Sequence, residues 1–82
     1  MSTDYDWDLS RQAVERLLQA KLSERRALIE CFDRLAAHPE PIQGRATFTL
    51  SGHAFHTIVL GSRVITYTVD HPVRRVHVLS IE

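Results

Sequence analysis

From residue 11 onward, the spacing of apolar residues changes once, at the two prolines within residues 38–41. Before them, apolar side chains recur every three or four residues, as they do along one side of a helix. After them, apolar and polar residues alternate, as they do in strands with one buried face. A helical first half followed by a strand-rich second half is typical of an α+β domain.

A short strand is predicted ahead of the helices, because Tyr5, Trp7 and Leu9 alternate with acidic residues. Those acidic residues would discourage pairing with another chain. Ser10 is the predicted N-cap of a helix over residues 11–21, and Ser23 that of a helix over residues 24–37. The apolar stripes expected to face the core are Val14, Leu17 and Leu18 in the first helix and Leu28, Cys31, Phe32 and Leu35 in the second.

Four further strands are predicted over segments that are rich in Val, Ile, Thr and aromatic residues, namely 45–50, 53–60, 63–70 and 73–81. They are separated by Ser51-Gly52, Gly61-Ser62 and His71-Pro72. The predicted architecture is a single domain over residues 1–82. A short N-terminal strand and a helical hairpin pack on one face of an antiparallel four-stranded meander.

Two-residue turns at the last two separators would place Ile58 and Val78 opposite Ile65, and His56 and Val76 opposite Tyr67. Directly opposed residues share a face of the sheet. The face expected to pack under the helices carries Ile58, Leu60, Ile65, Tyr67, Val69, Val76 and Val78. The other face carries Thr57, Val59, Val64, Thr66, Thr68, Arg75, His77 and Leu79. We expect this mixed face to be uncovered and to carry the function.

Charge composition excludes a general attraction to nucleic acids or membranes, because ten basic residues balance ten acidic ones. Residues 1–44 contain six basic and eight acidic residues, whereas residues 45–82 contain four and two. The sequence shows no signal peptide and no apolar run long enough to span a bilayer, so a cytoplasmic protein is expected. Cys31 is the single cysteine and cannot form an intrachain disulfide.

In the order and spacing of several segments, the chain resembles the RelE/ParE superfamily of toxins from type II toxin–antitoxin systems. The segments are the early strand and helical hairpin, Leu35-Ala36-Ala37-His38-Pro39, Leu50-Ser51-Gly52, residues 61–70 from Gly61 to Asp70, and residues 76–81 from Val76 to Ile81. The resemblance covers nearly the whole chain. It implies a compact α+β toxin with a cognate antitoxin as partner, acting either on messenger RNA at the ribosome or on DNA gyrase.

The resemblance also implies basic residues on the uncovered sheet face of the RNA-cleaving members. Their usual arginine positions fall here on Thr57, Val59 and Val64. We therefore expect a toxin that works by binding its target. An alternative is a ribosome-dependent endoribonuclease that uses His77 as general base and Arg75 to hold a phosphate. A further alternative is a non-toxic adaptor or oligomerisation module.

Three groups of candidate site residues follow. The catalytic candidates are His77 and Arg75. Arg45, Arg63, Arg74 and Arg75 are candidates for binding a nucleic acid or another target. Phe55, Val59, Val64 and Leu79 are candidates for binding a protein partner, either the antitoxin or a second copy of the chain. No cofactor or metal is expected, because His53 and His56 point to opposite faces of one strand and no cysteine or carboxylate completes a ligand set.

Overall fold

The computed structural model describes residues 5–39 and 46–82. The helices and strands, in chain order, are β1 (Asp6–Leu9), α1 (Arg11–Gln19), α2 (Leu22–Ala37), β2 (Ala46–Leu50), β3 (His53–Leu60), β4 (Arg63–Asp70) and β5 (Arg75–Ile81). The five strands form one sheet in the order β1-β5-β4-β3-β2. Strands β2 to β5 make the predicted antiparallel meander, and β1 adds to its β5 edge in parallel.

Both helices cover the predicted face of the sheet. Ile65, Tyr67, Val76 and Val78 are all completely buried. They alternate with partly or fully exposed residues along β4 and β5, as expected for strands with one face in the core. Helix α2 contributes the predicted stripe, whose members Leu28, Cys31, Phe32 and Leu35 are buried. The α+β architecture and the choice of buried face are therefore confirmed.

The stripe predicted for α1 is partly wrong. Val14 and Leu18 are 39% and 64% exposed, whereas Ala13 is completely buried and Leu17 packs against the core. The buried side of this nine-residue helix is displaced by one position from the predicted stripe. A small residue suffices where a helix lies close to a strand, and counting large apolar side chains overlooks it.

Two polar side chains fasten α1 to β5. Ser10 caps the helix as predicted, because its Oγ accepts a hydrogen bond from the amide of Ala13 at 3.1 Å. The same hydroxyl donates to the carbonyl of Leu79 at 2.7 Å. Gln12 accepts from the amide of Ile81 and donates to its carbonyl, each at 2.9 Å. The N-cap predicted at Ser23 is wrong: α2 begins at Leu22 after Lys21, so Ser23 lies inside its first turn.

The turn between β4 and β5 is longer than predicted. Residues 71–74 form it, and β5 begins at Arg75 instead of Val73. Tyr67 consequently lies opposite Val78, and not opposite Val76 as predicted. The shift is two residues, so every side chain up to Val78 keeps its predicted face. An irregularity beside Thr66 and Tyr67 then brings Ile81 opposite Ile65, and Ile81 is completely buried.

The β3–β4 hairpin has the predicted two-residue turn, and the β2–β3 hairpin, for which no register was predicted, also has a two-residue turn. Ile58 lies opposite Ile65 and Val59 opposite Val64, as predicted. Gly61 has φ +62°, a conformation that glycine adopts without steric cost at the start of a tight turn.

We expect Ile65→Ala to lower the free energy of unfolding by about 2–4 kcal/mol, because it removes buried methyl groups and leaves a cavity. Val59→Ala is the matched control on the opposite face, where Val59 is 73% exposed, and its cost is expected to stay within about 0.5 kcal/mol. Urea denaturation monitored by Trp7 fluorescence measures both. Equal costs for the two variants would contradict the assignment of faces.

Candidate functional site

The helices leave the second face of the sheet uncovered. This open face carries alternate residues of four strands: Asp6 and Asp8 of β1, Phe55, Thr57 and Val59 of β3, Val64, Thr66, Thr68 and Asp70 of β4, and Arg75 and His77 of β5. The three positions where the resemblance implies arginines, Thr57, Val59 and Val64, all lie on it. Leu79 is half-buried beside the irregularity in β5.

Strand β1 places an acidic side chain beside both catalytic candidates. Asp8 lies next to His77 in the parallel pairing of β1 with β5. The Nδ1 atom of His77 is 2.8 Å from Oδ1 of Asp8, and Nη1 of Arg75 is 3.6 Å from Oδ2. An ionised carboxylate only accepts hydrogen bonds, so Nδ1 is the donor and Nε2 of a neutral imidazole is left as an acceptor. The histidine is therefore held in one orientation and one tautomer.

Asp70 approaches His77 from the other side. Its Oδ2 is 3.9 Å from Nε2 of His77, which is too long for a hydrogen bond but close enough for an electrostatic interaction. Its Oδ1 accepts a weak hydrogen bond from the amide of Val73 at 3.4 Å. The imidazole thus lies between two carboxylates, neither of which was among the candidate site residues predicted from the sequence. The alternation of Asp6 and Asp8 with Trp7 was visible in the sequence, but the partner strand of β1 was not.

An open pocket of about 330 Å³ lies where β3 and β4 meet the turn after β4. Its lining consists of His53, Thr68, Val69, Asp70, His71, Pro72 and His77. Tyr5 fixes one wall, because its hydroxyl is 2.6 Å from Nδ1 of His71 and the two rings meet edge to face. The pocket therefore combines the carboxylate of Asp70 with three imidazole rings, and one of these rings belongs to the catalytic candidate His77.

The four candidate arginines do not form one patch. Arg63 lies on the helix-covered face, where Nε and Nη2 contact the Glu24 carboxylate at 2.9 and 3.3 Å. Arg63 also lies far from Arg75. The residue opposite Arg75 is Asp70, and Arg63 and Asp70 are seven residues apart on β4, a distance of about 23 Å along the strand. Arg74 is exposed in the turn before β5, with φ +56°. Arg45 lies outside the described residues. The structure therefore leaves Arg75 as the candidate arginine on the described part of the open face.

The partner-binding candidates are better grouped. Val59 and Val64 lie opposite each other on β3 and β4 and are 73% and 41% exposed. Phe55 is half-buried on the same face, four residues before Val59. Val59 and Val64 occupy the part of the open face nearest the β3–β4 turn, whereas Phe55 lies towards the other end of β3.

The two histidines of β3 lie on opposite faces, as predicted. His53 lines the pocket, whereas His56 is only 8% exposed and packs against the Tyr67 ring. Across residues 5–39 and 46–82, no group of three or more His, Cys, Asp or Glu side chains is arranged to hold a metal ion. Within the same ranges, no helix has the length and apolar character needed to cross a membrane.

Comparison with solved structures identifies a shared fold. The chain superposes on the archaeal RelE–RelB complex from Pyrococcus horikoshii OT3 with a TM-score of 0.81 and 20% identity, over 95% of this chain and 92% of that one. For the isolated E. coli RelE toxin the TM-score is 0.76 at 19% identity, with 94% and 81% covered. For the intact E. coli RelBE toxin–antitoxin complex it is 0.71 at 18% identity, with 94% and 93% covered.

No protein-family model matches the chain, and no curated protein shows significant similarity to it. The superpositions show that the chain has the RelE-like fold that the resemblance of its sequence implied. At these levels of identity the similarity establishes the fold, and the chemistry of the open face depends on its own residues.

The Glu24–Arg63 pair makes stability depend on pH. The side-chain hydrogen bond between Glu24 and Arg63 lowers the pKa of Glu24 below the usual 4.5, and it raises the pKa of Arg63. The stabilisation is therefore fully present above pH 4.5 and is lost as the pH falls through the lowered pKa.

We expect Glu24→Gln to lower the thermal unfolding midpoint at about pH 7, and the difference from the wild type to shrink as the pH falls through the lowered pKa of Glu24. Glu30→Gln, at an exposed position of the same helix, is the control and should not show this pH dependence. Differential scanning calorimetry measures the midpoints. A Glu24→Gln difference that is constant or grows at acid pH would contradict the assignment.

Proposed function

We propose that this chain is the toxin component of a type II toxin–antitoxin system, that it acts by binding a cellular target, and that an antitoxin neutralises it. The observation that carries the proposal is a RelE-like fold with one sheet face uncovered. Two of the similar structures are complexes of a RelE protein with RelB, which supports an antitoxin as the partner. The cellular target is the ribosome or DNA gyrase.

The residues of the open face favour binding over RNA cleavage. Thr57, Val59 and Val64 occupy the positions where the family resemblance implies arginines, and none of them can stabilise a phosphate by charge. Loss of a single preorganised donor commonly reduces the rate of a reaction by about 100-fold to 1,000-fold. Val59 and Val64 instead present apolar surface to solvent, which is a common property of protein-binding sites.

Expression of the chain in a bacterial host is expected to arrest growth, and co-expression of the protein from the neighbouring reading frame is expected to restore it. Val59→Lys should relieve the arrest by at least about tenfold in colony counts, since a charge placed in an apolar interface readily costs that much affinity. Leu18→Lys is the matched control, because Leu18 is also more than 60% exposed but lies on α1, away from the open face.

If the chain is produced in soluble form and growth does not stop, the toxin proposal is contradicted and an adaptor or oligomerisation module is favoured. Equal relief by Val59→Lys and Leu18→Lys would contradict target binding through the open face. In arrested cells, amino-acid incorporation and plasmid supercoiling separate the two targets, because inhibition of gyrase changes supercoiling before translation stops.

A ribosome-dependent endoribonuclease is the second candidate, favoured by the 2.8 Å contact between His77 and Asp8. In that function Nε2 of His77 would take the proton of a ribose 2′-hydroxyl, whose oxygen attacks the adjacent phosphorus. The bond from phosphorus to the 5′ oxygen breaks, that oxygen takes a proton from solvent, and a 2′,3′-cyclic phosphate remains. Arg75 would hold the phosphate, although it is already 3.6 Å from Asp8.

For the wild type we expect weak or absent cleavage of messenger RNA on translating ribosomes. If cleavage is measurable, His77→Ala should reduce the rate by about 100-fold or more through loss of the general base, and Arg75→Ala should also reduce it sharply. Arg26→Ala, at an exposed position of α2, is the control. Primer extension on a translated messenger measures the cleavage. Strong cleavage that neither open-face variant affects would contradict both candidate functions.

A further inference from the structure

The open face has two ends of different chemistry. At the β3–β4 turn it presents the apolar side chains of Val59 and Val64. At the opposite end β1, β4 and β5 bring together Asp6, Asp8 and Asp70 with Arg75. Val64 and Asp70 are six residues apart on β4, which corresponds to about 20 Å along the strand.

The polar end is acidic. Three carboxylates face one guanidinium there, so the formal charge is −2 with His77 neutral. Counting Arg74 in the adjoining turn still leaves it negative. Asp8 is shared between His77 and Arg75, which satisfies that carboxylate within the chain. Asp6 and Asp70 supply the remaining negative charge.

Asp70 is the carboxylate placed to meet a ligand. It lines the open pocket, its side chain is 41% exposed, and among the described residues no Lys or Arg lies within 4.0 Å of it. The pocket lining also includes the imidazole rings of His53 and His71. A guanidinium group fits such a site, because it can pair with a carboxylate and stack on planar rings.

The same charges disfavour a polyanion. A nucleic-acid strand crossing this end would bring its phosphates to Asp6 and Asp70, and like charges brought together at an interface weaken binding. Proteins that bind nucleic acids instead present basic patches that neutralise phosphates. Charge complementarity therefore favours a cationic partner for the open face.

We propose that the open face docks a segment of a partner protein whose apolar side chains cover Val59 and Val64 and whose arginine enters the pocket at Asp70. The inference rests on the proposed function and deepens it, since it specifies the chemistry of the partner that this face recognises. The arginine would lie about 20 Å from the centre of the apolar contact, a span of about six residues in an extended segment or thirteen in a helix.

The arginine subsite is tested by titrating the ¹⁵N-labelled full chain with acetyl-Val-Arg-Val-amide and following the backbone amides by NMR. We expect saturable shifts at Asp70, His71 and His77. The matched peptide with citrulline, which has nearly the same shape but no charge, should bind at least about tenfold more weakly. Asp70→Asn should weaken binding of the arginine peptide to a similar extent, whereas Glu30→Gln on α2 should not change it.

The apolar part is tested in the same spectra with a longer peptide that carries two valines about 20 Å from its arginine when extended. This peptide should also shift Val59 and Val64 and should bind more tightly than the tripeptide, and Val59→Lys should remove that gain.

Several results would overturn the proposal. They are no binding of the arginine peptides, equal binding of the citrulline peptide, or tighter binding of a uridine oligonucleotide at the same amides. Light scattering that shows a homodimer for the wild type and a monomer for Val59→Lys would also overturn it, because a second copy would then cover the open face. Should Asp70→Asn fail to fold, the arginine and citrulline peptides compared on the wild type still decide the question. The titration does not depend on growth arrest, so loss of the toxin proposal and loss of this one are separately observable.

Discussion

Burial of one face of the sheet beneath the two helices is the constraint on which the rest of this structure depends. Ile65, Tyr67, Val76 and Val78 are completely buried, and in a strand each buried residue directs its neighbours to the opposite side. A one-residue slip in β4 or β5 would bring Thr66 and His77 under the helices and expose the core residues. The loss of apolar burial opposes that slip, and it fixes the composition of the open face at the same time.

The fastening of α1 to β5 extends this constraint to the candidate site. Ser10 and Gln12 hydrogen-bond to the backbone of Leu79 and Ile81, just beyond His77. The backbone amide of Ser10 also donates to the carbonyl of Val78 at 2.9 Å, where β1 meets the helix. These bonds hold β1 in register on β5 and so place Asp8 beside His77. The candidate catalytic histidine thus depends on a contact between the two ends of the chain.

The chemistry of the open face differs from what the fold alone would suggest. The RelE-like architecture is shared with proteins of about 20% identity, which leaves the surface free to diverge while the core pattern is kept. Here the open face has valines at one end and carboxylates at the other. Arg63, one of the candidates for binding a target, is instead paired with Glu24 on the helix side. A surface of this kind suits recognition of a protein better than handling of a phosphate chain.

The sequence by itself determined the number and order of the elements, the α+β class and the buried face of the sheet, because these follow from local periodicity and from prolines and glycines at the turns. The two-residue error at the β4–β5 turn left Val76 and Val78 on the correct face, because the side-chain period is also two. Only the tertiary structure decided which side of α1 is buried, which strand receives β1, and where Arg63 finds its partner. Each of these is a contact between segments far apart in the chain, and local periodicity carries no information about such contacts.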